Sequence, residues 1–332
     1  MNVPSKNPRS AVLRRALRCL SGCAVALVCA GATAQDYPTR AIRLIVPNSP
    51  GGATDTAARL VAPLMAERLR QPIVIENRVS AGGVTATNAI AQTPGDGYTL
   101  LMVFDSFTTN PWLFPNVQYD PVRDFAPVTL VAYAAQVFVA HPSLGVRTID
   151  DWVRLARNRG TALAVATAGA GTSSRLSFEL FRQAAGIEPT VVHYKGGSPA
   201  LNDLLGGQVG AMFVNLGLVL PHLRNGHLIA LGVSSPRRTS LLPETPAIAE
   251  SYPGFEALTW VGLLTQAQTP RPVVEQLHAT LSAVLALPAV REKFSLQGSE
   301  VIAGGPEEFA ALIRREYTRW GRVIRERRVT LD

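Results

Sequence analysis

The chain has 332 residues, 47 % of them apolar, with 32 Lys+Arg against 24 Asp+Glu for a formal charge of +8. That composition is globular, and no segment interleaves a basic run with aromatics, so the surplus does not read as a nucleic-acid surface. The length favours two lobes over one.

Residues 1–18 carry Lys6, Arg9, Arg14, Arg15 and Arg18 and no acid, the apolar run Leu20 to Ala30 follows, and Ala32-Thr33-Ala34 is a small-x-small site. This is the layout of a secretory signal peptide, residues 1–34, cleaved after Ala34, with an apolar run too short to span a membrane. Leu20-Ser21-Gly22-Cys23 precedes most of the apolar run instead of following it as a lipoprotein box would. The residues around Arg14-Arg15 fit a twin-arginine signal poorly. Cleavage takes five of the 32 basic residues and no acid, leaving 27 against 24 and a charge of +3. The three cysteines, Cys19, Cys23 and Cys29, leave as well. The mature chain is therefore expected to have no disulfide, thiol nucleophile or Cys-based metal site.

Strand and helix patterns then alternate. Arg40–Val46 reads as a strand, and Ala57, Leu60, Val61, Leu64 and Leu69 lie at helical spacing, with Pro63 expected to kink that helix. Strands are expected at Pro72–Glu76, Tyr98–Phe104 and Val137–Ala140, with a short helix at Val84–Ala91 and a Thr-capped helix at Thr148–Arg157. Strands Leu163–Thr167, Thr190–Tyr194 and Val209–Val214 alternate with helices Thr172–Ala185 and Ser198–Leu205. Leu228–Val233 and Ala257–Leu264 add strands, and helices Arg271–Ala286, Ala289–Gln297 and Pro306 to about Arg328 close the chain. Such units imply mainly parallel sheets with helices on both faces, and ligands of such sheets bind at the carboxyl ends of strands. With no long linker, two lobes would share the chain by crossing between them.

Two stretches place a Gly-rich turn between a strand and a helix: Val46-Pro47-Asn48-Ser49-Pro50-Gly51-Gly52-Ala53-Thr54-Asp55, and His193-Tyr194-Lys195-Gly196-Gly197-Ser198-Pro199 running on to Val209. The arrangement aims backbone N–H groups and a helix N-terminus at one spot, which suits a carboxylate. Thr172 and Ser173 stand where a helix begins, so their hydroxyls either cap it or meet a ligand oxygen. Glycines 51, 52, 196 and 197 serve turn geometry, close approach to a ligand, or both. Asp55 is either a helix-start acid or a ligand contact. Lys195 is either a counter-charge or a solvated loop residue.

The chain resembles the Bug family, the periplasmic substrate-binding receptors of tripartite tricarboxylate transporters. The resemblance runs in order through Tyr37-Pro38-Thr39-Arg40, Val46 to Asp55, Glu76-Asn77-Arg78, Ala81-Gly82-Gly83, Asp96-Gly97-Tyr98-Thr99-Leu100 and Asp124-Phe125-Ala126-Pro127-Val128. It continues through Gly171-Thr172-Ser173, Tyr194-Lys195-Gly196, Asp203 to Val209, Met212-Phe213, Trp260-Val261-Gly262 and Gly305 to Phe309. It implies an α/β Venus-flytrap fold of periplasmic-binding-protein type II with two crossover strands as hinge. Lobe 1 would be 35–138 plus 259–332 and lobe 2 would be 139–258. The implied function is capture of a small organic carboxylate in the periplasm and delivery to the membrane subunits of a transporter. The alternative is an orphan receptor that presents its ligand to a signalling partner. A monomer without cofactor is expected.

Carried over by position, the ligand-binding candidates are Asn48, Ser49, Gly51, Gly52, Asp55 and Ser106 in lobe 1, and Thr167, Gly171, Thr172, Ser173, Tyr194, Gly196, Gly197 and Asn215 in lobe 2; the strand end at Asp105 approaches the same cleft. The chain departs from the family pattern at Asn48, Ala170, Arg175, Gly210 and Val214. Loss of an acid at Val214, if that position faces the cleft, would leave an apolar wall and favour a ligand without an amino group. An enzyme is not expected. There is no Gly-x-Ser-x-Gly elbow, His-Glu-x-x-His or phosphate-binding Gly-rich loop ending in Lys, and the five histidines lack zinc-site spacing.

Overall fold

The computed structural model describes residues 37–331 apart from Ser49, Ala170 and Lys195, so the expected signal peptide and the candidates Ser49 and Lys195 lie outside the described residues. The compact unit begins at Arg40. In chain order it holds β1 (Ile42–Val46), α1 (Ala53–Leu69), β2 (Ile73–Asn77), α2 (Val84–Ala91), β3 (Thr99–Phe104), α3 (Ser106–Leu113) and the 16-residue β4 (Phe125–Ala140). Next come α4 (Ile149–Arg159), β5 (Ala164–Thr167), α5 (Ser173–Ala185), β6 (Thr190–His193), α6 (Gly197–Leu205), β7 (Ala211–Asn215), α7 (Leu216–Arg224) and β8 (Ile229–Val233). The chain ends with α8 (Ile248–Ser251), β9 (Leu258–Gln266), α9 (Arg271–Leu285), α10 (Pro288–Leu296), β10 (Ser299–Gly304) and α11 (Pro306–Glu326).

Local chemistry accounts for many of the ends. Thr148 opens α4 with a reciprocal capping box to Asp151, and α9, α10 and α11 each place a proline in the first turn, where its missing N–H costs nothing. α1 continues through Pro63 as one helix and stops at Arg70 in the left-handed region, φ 54°.

The strands join into one ten-stranded sheet with β4 at its centre. β1 pairs in parallel with β2 and β3, and β5 in parallel with β6 and β7. β4 runs antiparallel to β7, β8, β9 and β10. The expected parallel order thus holds on the two flanks and gives way to a mixed sheet at the centre. β4 is also far longer than the expected Val137–Ala140. Pro127 sits where the register against β9 shifts, so a bulge takes the residue that cannot donate to the ladder.

Residues 125–135 of β4 pair with β9 and β10, whereas residues 136–140 pair with β7 and β8. The strand crosses between half-sheets at Ala135–Gln136, and the return path crosses beside it, Ser234 N–H donating to the Gln136 carbonyl and Ala257 N–H to that of Ser234. Each half has its own aromatic core. Phe107, Tyr119, Phe125, Trp260 and Phe309 fill the first; Phe138, Trp152, Phe178, Phe181, Phe213 and Phe255 fill the second.

The halves are joined a second time where α11 meets α5. Glu179 on α5 is fully buried and faces Arg175 (2.6 Å), Arg182 (2.9 Å) and Arg327 (3.6 Å), the last just past the end of α11. Leu176 packs against Trp320, Val323 and Ile324 beside it. Removing one member of a buried ion cluster leaves like charges uncompensated, at a cost of about 3–5 kcal/mol. Glu179→Gln is therefore expected to lower the midpoint of urea unfolding with little change in slope, and an unchanged midpoint would remove Glu179 from the fold's supports.

Candidate functional site

The carboxyl ends of β1 and β3 open into the loops before α1 and α3, and those of β5, β6 and β7 into the loops before α5, α6 and α7. On the first side, Asp55 is the clamp. Its carboxylate accepts from Gly51 N–H (2.9 Å), Arg59 Nε (2.8 Å) and Asn77 Nδ2 (2.8 Å), and Asn77 also donates to the Asn48 carbonyl (3.0 Å). Burial pushes the Asp55 carboxyl up, but these hydrogen bonds outweigh it and hold it below the ordinary carboxylate range. Asp55 is only 1 % exposed, so it shapes the loop from beneath. Gly51 sits at φ 83°, where a side chain is strained. The Asn48 Oδ1 is buried without a partner.

Two further turns lock onto this loop. A Cβ at Gly83 (φ 76°) would lie 2.7 Å from the Pro47 ring, so the turn before α2 sits directly against the β1 loop. The Gly82 carbonyl accepts from Ser106 Oγ (3.2 Å) and Asn110 Nδ2 (2.7 Å), which engages the Ser106 proton.

In the second half, Thr172 Oγ1 donates to the Gly169 carbonyl (2.7 Å), and α5 begins without a side-chain cap. Tyr194 N–H and Gly196 N–H donate to the Thr167 and Ala168 carbonyls, both at 3.0 Å, tying the β5 and β6 loops together. Gly196 takes φ 125°. The Tyr194 hydroxyl donates to Asp203 (2.7 Å), and burial, helped by that carboxylate, pushes it up to about 12. Thr167 is fully buried and its hydroxyl meets His193 Nδ1 at 2.7 Å. Asn215 Oδ1 accepts from Gly217 N–H (3.0 Å) and caps α7. Arg175 lies against His193 and Glu179. Burial and the Arg175 charge lower the His193 pKa.

The structure gives most candidate side chains a partner close to home. Two of the second-half turns touch the first half away from the β1 and β3 loops. A Cβ at Gly171 would come within 3.0 Å of Leu331 and 3.5 Å of Leu113, and one at Gly217 within 2.5 Å of the Gln297 carbonyl. Ser173 accepts from Gln136 Nε2 (3.3 Å) at the crossover of β4. Asp105 stands at the end of β3, where burial pushes its carboxyl up to about 7. Val214, by contrast, is 3 % exposed and packs in the core under α6 and α7. The missing acid there leaves no apolar wall, and the sequence argument for an amino-free ligand loses its footing.

A separate cavity of about 750 Å³ lies at the same crossover, lined by Tyr133, Ala135, Leu258 and Ser299 with Arg237 and Arg291 at its margin. None of the candidate residues lines it. Among the described residues no group of three or more metal-ligating side chains comes together.

Residues 57–329 match the family described as the tripartite tricarboxylate transporter family receptor. The chain is 36 % identical to Protein BugT of Bordetella pertussis, over 91 % of this chain and 94 % of that one. It superposes with a TM-score of 0.77 on a protein of R. palustris solved with adipate, at 34 % identity and covering 87 % and 97 % of the two chains. MatC of Rhodopseudomonas palustris with bound malate gives a TM-score of 0.74 at 33 % identity, covering 87 % and 100 %.

A carboxylate with a depressed folded pKa adds stability above its unfolded pKa, near 3.9, and loses it as pH falls through the folded value. Asp55→Asn is accordingly expected to cost about 1–3 kcal/mol at neutral pH, by the loss of charge-assisted hydrogen bonds. The gap from the parent should narrow as pH drops below about 4 in a series of denaturant melts; a gap independent of pH would mean that the charge of Asp55 does not hold the loop.

Proposed function

We propose, on the premise that this chain belongs to the tripartite tricarboxylate transporter receptor family that includes the Bug proteins, that it captures a small organic carboxylate between its two half-sheets. In this reading it works in the periplasm and hands the ligand to the membrane subunits of such a transporter. Lobe 1 comprises 35–138 plus 259–332 and lobe 2 comprises 139–258, and they close by rotation about the paired crossovers.

One observation carries the reading. Helices α1, α5 and α6 all begin at the facing loops, and none has a side-chain hydrogen bond at its N-cap. The first N–H groups of a helix have no partner within it, and together with the helix dipole they form an anion site. Three such termini aimed into one cleft bind a carboxylate without any arginine. The adipate and malate bound by the R. palustris proteins are of that chemical class. Gly52, Ser173 and Gly197 supply main-chain donors in this reading, with Gly51, Gly171, Thr172, Tyr194 and Gly196 setting the loops that aim them. The Asn48 amide, its oxygen unpartnered, is the first-loop side chain left for a polar group of the ligand.

A thermal-shift screen of residues 35–332 against dicarboxylates, tricarboxylates, aromatic acids, keto acids and acidic amino acids tests the class. A ligand at about 100 times its Kd adds roughly 2.7 kcal/mol, a shift of several degrees. Gly197→Pro sharpens the test, because proline fits the first helical position while deleting its N–H. The variant is expected to melt close to the parent without ligand but to bind about tenfold more weakly, the worth of one charge-assisted hydrogen bond. No shift with any acid, or unchanged affinity in the variant, would count against main-chain carboxylate capture.

A further inference from the structure

The cavity of about 750 Å³ beside the crossover lies apart from the candidate loops, none of whose candidate residues lines it. Its floor is the crossover itself. Tyr133 and Ala135 stand two apart on β4, and Leu258 pairs with Ala135 on β9, so the three share one face of the sheet. Leu216, the first residue of α7, and Leu241, after β8, add apolar wall from the second half. Ser295 and Ser299 line the side of α10 and β10. An apolar cleft of this volume with a few polar groups, set between two halves of a chain, has the form of a small-molecule site.

The charges around it set the class of molecule. Arg237, Arg238, Arg291 and Arg315 line the cavity, and so do Glu256 and Glu300. Arg238 is taken by Glu250 through two hydrogen bonds, at 2.9 and 2.8 Å. Arg315 and Glu256 also line an adjoining recess with Arg319 and Glu316, so that two arginines meet two acids there. Arg315 stands 3.3 Å and Arg319 3.7 Å from Glu316, and Arg319 donates to the Glu256 carbonyl. What remains is Arg237 after β8, Arg291 on α10, and Glu300, which lies across from Tyr133 on β10. All three are exposed and make no ion pair among the described residues. Two arginines against one acid leave a surplus of positive charge, with one arginine from each half.

We infer that this cavity is a second binding site, for an organic anion with a single negative charge and a flat apolar body, such as an aryl sulfonate or aryl carboxylate. The body lies on Tyr133, Ala135 and Leu258. The charge goes to Arg237 or Arg291, whose guanidinium forks match planar and tripodal oxyanions, and Glu300 opposes a second negative charge. The site shares no residue with the cleft, so it stands whether or not the cleft takes carboxylates.

Two dyes with one skeleton test it by fluorescence titration of the protein. 8-Anilinonaphthalene-1-sulfonate carries the anion, and N-phenyl-1-naphthylamine lacks it. The parent is expected to bind the sulfonate at one saturable site that excess adipate or malate does not empty. Replacing both arginines, Arg237→Ala with Arg291→Ala, should weaken the sulfonate about tenfold, the worth of one charge-assisted hydrogen bond, and leave the neutral dye within about twofold. No saturable binding of the sulfonate by the parent overturns the inference. So does unchanged sulfonate affinity in the double variant, or equal loss of both dyes, since either removes the charge from recognition. Competitive displacement by adipate or malate places the dye in the cleft and overturns it as well. Silence of every acid in the thermal screen bears on the cleft alone. The saturation and displacement arms are read on the parent, so the inference stays open to refutation even where the variant folds poorly.

Discussion

The two halves of this molecule depend on one strand. β4 gives its first eleven residues to one half-sheet and its last five to the other, and the change of partners falls between Ala135 and Gln136. Gln136 is 3 % exposed, and a buried amide needs its hydrogen bonds met. Its Oε1 accepts from Ser177 (2.6 Å), its Nε2 donates to Ser173, and its N–H donates to Ser234 Oγ (2.9 Å). The crossover therefore sets the position of α5 and, through Ser173, of the turn that opens it. A shift in the angle between the half-sheets is felt first at these bonds.

Charge is handled economically around the cleft. A carboxylate receptor built from arginines would meet its ligand with fixed positive charge, but the arginines near these loops are paired with acids of the protein itself. Asp55 is among those acids, and its ion pair with Arg59 lies under the β1 loop instead of in the cleft. In the proposed reading main-chain N–H groups are the anion donors: they are weakly charged, fixed by the fold, and need no counter-ion when the cleft is empty. The same economy explains why the side-chain hydroxyls of Ser106, Thr167, Thr172 and Tyr194 turn back to carbonyls, a histidine or an acid close by. They fix the loops whose backbone has to point the right way.

This division of labour decides what can be read from sequence. Strand–helix alternation and the Gly-rich turns are local signals, and the loops of the cleft follow from them. The partners of a side chain are not local. Nothing in the spacing of Asp55 says that Asn77, 22 residues on, turns toward it. Thr172 has the residue type and place of a helix cap, yet Gly169 three residues earlier offers its hydroxyl a closer acceptor. Val214 looks exposed to a ligand only until the strand's alternation is anchored by its pairing with Val137, which turns its side chain into the core. The first part of β4 carries no alternation, because residues 128–135 are buried almost throughout, and a run without a period of two is a weak strand signal.

The crossover has two faces, and the structure treats them differently. Successive residues of a strand point to opposite sides, so Ala135 lines the 750 Å³ cavity while Gln136 holds Ser173 in the cleft. The cavity takes walls from both halves, the segment after β8 on one side and β10 with α10 on the other. Ligand contacts that exist only when the loops meet then have a defined task. Their differential affinity between arrangements of the two halves sets the limit of any shift they can produce.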